Sequence, residues 1–234
     1  MAGKKVNSTR LEIIRVALHM FLERGYTNTT LRAICDELGI STGNLTFYFP
    51  SKEHLLAVLV EMLCDFQEQL MDQMADEGKS SLLSLCLEMT SIAAACDQDE
   101  TVKDFYLAAY THPLTIEIIR KSDKEKTKRV FREYCTDWSD EQFVEAELLR
   151  SGIEYTTLMT TPDSPPLDVR IAGAINGIML LYGVPADVRK VKREKVLKID
   201  YRLLGRRILK EFKQYIDDVN EHAFEESIAR KAHK

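Results

Sequence analysis

Residues 29–52, TTLRAICDELGISTGNLTFYFPSK, leave little freedom to the fold, because they read as two short helices meeting at a glycine turn. Leu31, Ile34, Cys35 and Leu38 fall at i, i+3, i+4 and i+7, which is one apolar stripe, with Thr29 as its N-cap. Gly39 follows the last apolar position, where a helix ends on a left-handed residue, and Ser41 caps the next helix. In that second helix Leu45, Tyr48 and Phe49 share a face that packs on the first, while Thr42, Asn44, Thr46 and Phe47 point elsewhere. The outward face carries no negative charge, and its hydroxyls and amide suit base edges and phosphates. Gly43 removes a side chain near the helix start, Phe49-Pro50 closes the helix, and Ser51 caps a third with Lys52 in its first turn, placed to meet a phosphate. A helical hairpin in any all-α core has the same spacing, so spacing alone leaves both readings open.

Further residues separate them. Gly25, Thr30, Gly39-Ile40-Ser41, Gly43, Leu45, Tyr48-Phe49-Pro50-Ser51-Lys52-Glu53 and Leu55-Leu56 together resemble the N-terminal domain of the TetR family of transcriptional regulators, over roughly residues 9–60. The resemblance implies an N-terminal helix-turn-helix domain and a helical ligand-binding and dimerisation domain. It implies DNA contacts at Thr30, Thr42, Gly43, Asn44, Thr46, Phe47, Tyr48 and Lys52. One departure stands out: the family usually has tyrosine where this chain has Thr46, so the contact made there by an aromatic hydroxyl must be lost, shortened or moved.

Charge distribution agrees with a DNA-facing end. Residues 1–52 hold seven basic and four acidic side chains, so a +3 head sits on a −8 body within a net charge of −5. Five cysteines are scattered without a C-x-x-C pair and read as structural thiols. No signal-peptide pattern, membrane-spanning stretch, catalytic motif, cofactor loop or metal spacing is present, and a cytoplasmic protein that is not an enzyme is expected. A helical scaffold for protein partners and a helical enzyme with a dispersed site remain the other readings.

The first helix is expected to begin at a Thr9/Glu12 capping box and end at Gly25, with Lys4, Lys5 and Arg10 as an arm along the DNA backbone or a solvated tail. The fourth helix continues to about residue 76. Later helices are expected near 80–96, 101–111, 115–135, 139–160, 167–182 and 189–218, with no strand pattern. The chain reads as all-α, divided into a DNA-binding domain at 1–52 and an effector and dimerisation domain at 53–234.

Residues 167–182 are apolar nearly all round, and Val196, Leu204, Ile208, Phe212 and Ile216 form one stripe on the last helix. Pairing both helices with symmetry mates gives a four-helix interface for a homodimer on palindromic operator DNA; burial within one subunit is the alternative. Met89, Tyr106, Tyr110, His112, Tyr155 and Met159 are the expected lining of a cavity for a small, largely apolar effector of unknown identity. The basic run 121–129 reads as a solvated face. Residues 55–76, without proline or glycine, are the expected lever between body and head.

Overall fold

The computed structural model describes residues 2–220, 222 and 224, with side chains from residue 9 onward except residue 75. The helices among them are α1 (Ala2–Arg24), α2 (Leu31–Leu38), α3 (Thr42–Tyr48), α4 (Lys52–Asp76), α5 (Ser81–Gln98), α6 (Glu100–Thr111), α7 (Pro113–Val130), α8 (Asp140–Leu158), α9 (Leu167–Leu181), α10 (Ala186–Leu197) and α11 (Tyr201–Asp218). No strand occurs among the described residues. The expected all-α architecture of a helix-turn-helix head on a helical body is what the chain forms.

The head closes on itself through local chemistry. Thr30, not Thr29, caps α2 by accepting from the Ala33 amide at 3.1 Å. Thr29 is buried, and its hydroxyl donates to the carbonyls of Gly25 at 2.8 Å and Met20 at 3.3 Å. Thr29 thus ties the α1–α2 turn to α1 instead of starting a helix. Gly39 has φ 64°; its amide donates to Asp36 O and the Ile40 amide to Cys35 O, the paired bonds of a Schellman ending. Ser41 then accepts from the Asn44 amide, so α3 begins two residues after α2 stops turning. Ile34, Cys35, Leu45 and Phe49 close over Ile14, Ala17, Leu18 and Phe21 of α1.

Several boundaries differ from the sequence reading. α1 starts at Ala2, seven residues before the Thr9 capping box, because residues 4–8 contain nothing that breaks a helix once the following turns nucleate it. The Lys4 and Lys5 side chains lie outside the described residues. Arg10 is no backbone-tracking arm: its guanidinium lies over the rings of Phe49, 5.7 Å away, and Phe224, 4.9 Å away, and burial lowers its pKa despite Glu61. The expected helix 189–218 is two helices. Asp200 stops the run and caps α11 through the Leu203 amide at 2.9 Å.

In the body α5 is central, packing on α4, α6, α8, α9, α10 and α11. Its closest neighbour is α11, because Gly205 lets the two backbones meet: a Cβ there would lie 2.6 Å from Ser91 O. The Val196, Ile208, Phe212 and Ile216 stripe is consequently buried inside the subunit. It does not form a symmetry interface, and the alternative of burial within one subunit is the one realised for α11.

Head and body touch beyond the α4 connection. Thr101 at the start of α6 donates to Leu22 O at 2.7 Å, and Asp104 accepts from the Thr27 amide at 2.7 Å and the Thr27 hydroxyl at 2.6 Å. On α1, Arg15 donates to Val219 O at 2.6 Å and His19 lies 3.1 Å from Asp217. No described helix is long and apolar enough to cross a membrane.

Candidate functional site

The outer face of α3 is the first candidate site. Thr42, Gly43, Asn44 and Phe47 are exposed, Phe47 at 76%, while Thr46 and Tyr48 are half-buried. Leu45 and Phe49, fully buried, fix the roll of the helix so that Thr42, Gly43, Asn44, Thr46 and Phe47 face away from the head core, while Tyr48 packs partly against it. Thr30 is exposed at the adjacent α2 start. The Thr46 hydroxyl donates to Thr42 O at 3.0 Å and to Gly43 O at 3.3 Å, so its proton is held by its own helix and only its lone pairs face outward. Phe47 stands edge-on to Tyr48, ring centroids 5.2 Å apart, as an apolar prow on an otherwise polar surface. Arg32, exposed on the first turn of α2, is a further cation on this side of the sequence hairpin that motif reasoning passed over.

Lys52 sits differently from the sequence expectation. Its Nζ donates to Tyr26 O at 2.9 Å and Thr29 O at 3.0 Å and lies 4.1 Å from the centroid of the Tyr26 ring. Burial lowers its pKa against the opposing pull of Glu53 and Asp104. Two of its three N–H donors therefore clamp the α1–α2 turn to α4, leaving one for a phosphate.

The second candidate site lies inside the body, where α4 to α8 surround a cavity of about 30 Å³, room for about two water-sized groups. Met89, Tyr106 and Tyr110 line it. His112, Tyr155 and Met159 do not line it. His112 instead caps α7, its Nδ1 accepting from the Leu114 amide, and Met159 ends α8 in solvent. The apolar part of the wall is Val60 and Leu63 of α4, Leu85 and Ile92 of α5, Ile119 and Leu158.

The wall also carries Glu88, Asp123, Arg150 and Glu154, which belong to a larger buried ion cluster. Lys126 Nζ meets Glu88 Oε1 at 2.7 Å and Asp123 at 3.2 Å. Arg150 meets Asp123 at 2.7 Å, Glu147 at 3.1 Å and Glu154 at 2.7 Å. Tyr110 donates to Glu154 at 3.0 Å, Thr127 to Glu147 at 2.8 Å, and the Tyr182 hydroxyl also donates to Glu147. Burial works against the Lys126 ammonium, but Glu88 and Asp123 more than offset it and its pKa is raised. Burial likewise opposes ionisation of Asp123, yet Arg150 and Lys126 hold it below the usual range. Glu154 goes the other way: burial pushes it to about 7 in spite of Arg150. The run 121–129 is solvated on one side only, at Lys121, Glu125 and Arg129, since Lys126 is 1% exposed and Asp123 is buried with it.

Sequence reasoning missed this cluster, although α8 carried a signal. Glu147, Arg150, Ser151 and Glu154 recur at helical spacing with buried Phe143 and Ala146, while Val144, Leu148 and Leu149 recur on the opposite side and are exposed. The middle of the helix is inverted, with Glu147, Arg150 and Glu154 inward and Val144, Leu148 and Leu149 outward. Neighbouring α9 also leaves apolar residues in solvent, Val169 and Leu180 at 56%, although its other side is buried. All five cysteines are buried thiols; burial pushes Cys86 up to about 12, so it fills space and does not react at neutral pH.

Comparison with known proteins places the head. The family model described as bacterial regulatory proteins, tetR family, matches residues 13–59. The HTH-type transcriptional repressor KstR2 of Mycobacterium tuberculosis is 42% identical over 66 residues, 28% of this chain and 32% of that protein. The HTH-type transcriptional regulator RutR of Escherichia coli is 34% identical over 63 residues, 27% of this chain and 30% of that protein. These matches span about a third of the length of the curated relatives. Among solved structures, the TetR family protein CprB from S. coelicolor superposes with a TM-score of 0.46 at 20% identity, over 83% of this chain and 98% of that one.

Proposed function

We propose that the chain, whose N-terminal segment is similar to the TetR family of bacterial regulatory proteins, is a member of that family and a sequence-specific DNA-binding transcriptional repressor, released from its operator by a small molecule. The observation that carries this reading is the α3 face: an uncharged, exposed surface, rolled outward by buried Leu45 and Phe49, within the segment that matches the family. Thr42 and Asn44 read base edges or phosphates, Thr46 offers its lone pairs to base amino groups, Phe47 makes apolar contact in the groove, and Gly43 lets the backbone approach. Thr30 and Tyr48 flank it on phosphates. Lys52 contributes its remaining donor and, more importantly, fixes the turn that sets α3 against α4. Residues 1–52 form the DNA-binding unit and residues 53–234 the effector-binding and dimerisation unit.

The operator is palindromic and the protein a homodimer, with two α3 helices in successive major grooves about 34 Å apart. The outward leucines of α8 and the exposed face of α9 support an interface on these two helices, since a helix so inverted is stable only with its apolar side covered. The 189–218 region is left out of that interface, its stripe being already buried on α5. The protein acts by binding, not catalysis.

Release runs through α6 as well as α4. The first half of α6 is bonded to the head through Thr101 and Asp104, and its second half carries Tyr106 and Tyr110 into the cavity wall. Selection of random DNA with the purified protein, followed by salt-dependent gel shifts, tests the reading: a single palindromic consensus with a steep salt dependence is expected. Binding without any sequence preference, or a monomer at micromolar concentration in the ultracentrifuge, would overturn it.

A further inference from the structure

The cavity is ringed by more negative than positive charge. Glu88 of α5, Asp123 of α7 and Glu154 of α8 line it with Arg150, and Glu147 and Lys126 complete the same ion cluster without lining the cavity. With every group ionised, four carboxylates against two cations leave −2 in this cluster of the described residues. Unbalanced charge in a buried site is unfavourable, and it is relieved by protons on the carboxyls or by a cation from outside.

Burial raises the pKa of both Glu88 and Glu154, so protons supply part of that relief, and an unmet hydrogen bond points to the second route as well. Glu88 is 6% exposed and gives Oε1 to Lys126, but its Oε2 has no hydrogen-bond partner, and Glu88 lines the cavity. A buried acceptor left alone costs about 1–3 kcal/mol, and more when charged. Arg150 also lines the cavity, and its Nε is a buried donor without an acceptor. The wall thus asks for an N–H at one place and a lone pair at another. The space takes an ammonium head, and Leu63, Leu85 and Leu158 of its wall suit a short alkyl chain. Among the described residues no three of His, Cys, Asp and Glu are grouped to hold a metal ion, which favours an organic cation.

We infer that the cavity binds a small organic amine in its ammonium form, donating to Glu88 Oε2 and drawn by the carboxylates of Asp123 and Glu154, with a ligand hydroxyl or carbonyl oxygen preferred for Arg150 Nε. This rests on the effector reading above and specifies what the effector is. It replaces the expectation of a largely apolar molecule, because the inward faces of α7 and α8 are charged.

Calorimetric titration of the full-length protein with n-butylamine, 4-amino-1-butanol, n-butanol and butyrate tests it. Both amines should saturate, the amino alcohol at least as tightly, with butanol and butyrate at least about tenfold weaker. Glu88→Gln should weaken amine binding about tenfold or more. Glu154→Gln leaves Arg150 two carboxylates, so it is the safer variant for folding and should weaken binding about three- to tenfold. Butanol or butyrate matching the amines, no amine binding at all, or wild-type amine affinity in a folded Glu154→Gln variant would overturn the inference. Operator gel shifts run alongside keep the two readings apart. Amine bound with operator affinity unchanged sinks release by the effector and leaves the site; operator binding intact without amine binding sinks the site alone.

Discussion

Two residues carry opposite kinds of information about the DNA-binding face. Asn44 is exposed on α3 with a free amide, so Asn44→Ala should mainly alter sequence preference, with about 1–3 kcal/mol lost at one base position. Lys52 holds Tyr26 O and Thr29 O and stacks on Tyr26, so Lys52→Ala should lower the unfolding free energy by about 1–3 kcal/mol as well as weaken binding to all DNA. Denaturant unfolding of both variants beside gel shifts on operator and random DNA checks the pair. Were Lys52→Ala to bind less tightly with stability unchanged, the clamp would be secondary and the phosphate contact primary. Glu154 makes a pH prediction. Its carboxyl titrates near 4.5 when unfolded and is pushed by burial to about 7 in the fold, so between those values the folded chain holds a proton that the unfolded chain has released. Stability contributed by this group therefore falls as pH rises through the window. Glu154→Gln removes that slope, and the stability difference between about pH 5 and about pH 7.5 should shrink by on the order of 1–2 kcal/mol in chemical denaturation. An unchanged slope would mean that Glu154 is ionised throughout.

At the scale of the helix, α5 and α11 set the most demanding constraint. A methyl at Gly205 would meet Ser91 O at 2.6 Å and Ala95 N at 3.2 Å, both backbone atoms that cannot swing aside. Gly205→Ala should therefore force α11 off α5 and cost about 1–3 kcal/mol, even though alanine favours helix. A gain in melting temperature would show that the crossing relaxes freely. The same elements show why some of the fold was legible in the chain and some was not. Helix ends written in local chemistry, Gly39-Ile40-Ser41, His112-Pro113 and the Ser139/Gln142 capping box, were readable because the deciding atoms lie within a few residues. α3 was readable for the same reason, down to buried Leu45 and Phe49. The partner of an apolar stripe was not: Ile208, Phe212 and Ile216 look alike in sequence whether they meet α5 or a second subunit. Nor was the polarity of α8, since Glu147, Arg150 and Glu154 suit solvent as well as they suit Lys126 and Asp123 on a helix far away in the chain. Capping at Thr29 failed by one residue because Thr30 offers the same hydroxyl, and the choice was made by the buried carbonyls of Gly25 and Met20.

At the scale of the whole molecule the question is how a group bound in the body alters a helix in the head, and two routes are available. α4 runs unbroken from the Lys52 clamp to the body and lines the cavity with Val60 and Leu63. α6 is shorter and more direct: Tyr110 is bonded to Glu154 in the charged cluster, and Asp104, less than two turns earlier, holds the Thr27 amide and hydroxyl in the turn that leads into α2. A ligand that pairs with Glu154 competes with Arg150 and Tyr110 for it, so α6 must shift or the ligand must bind without effect. Asp104→Ala tests this route, because it removes the α6–turn bonds while touching neither α3 nor the cavity. Operator affinity without ligand should change by less than about threefold, and ligand affinity for free protein should hold. The coupling between them, ordinarily about 5–150-fold and equal in both directions, should fall toward unity. Reciprocal titration measures it: ligand affinity with and without operator, and operator affinity with and without ligand. If full coupling survives both in Asp104→Ala and in Asp104→Ala with Thr101→Val, which also removes the Thr101–Leu22 bond, the signal travels along α4. A glycine at exposed Gln69, on the outer face of α4, should then abolish it by giving that helix a place to bend.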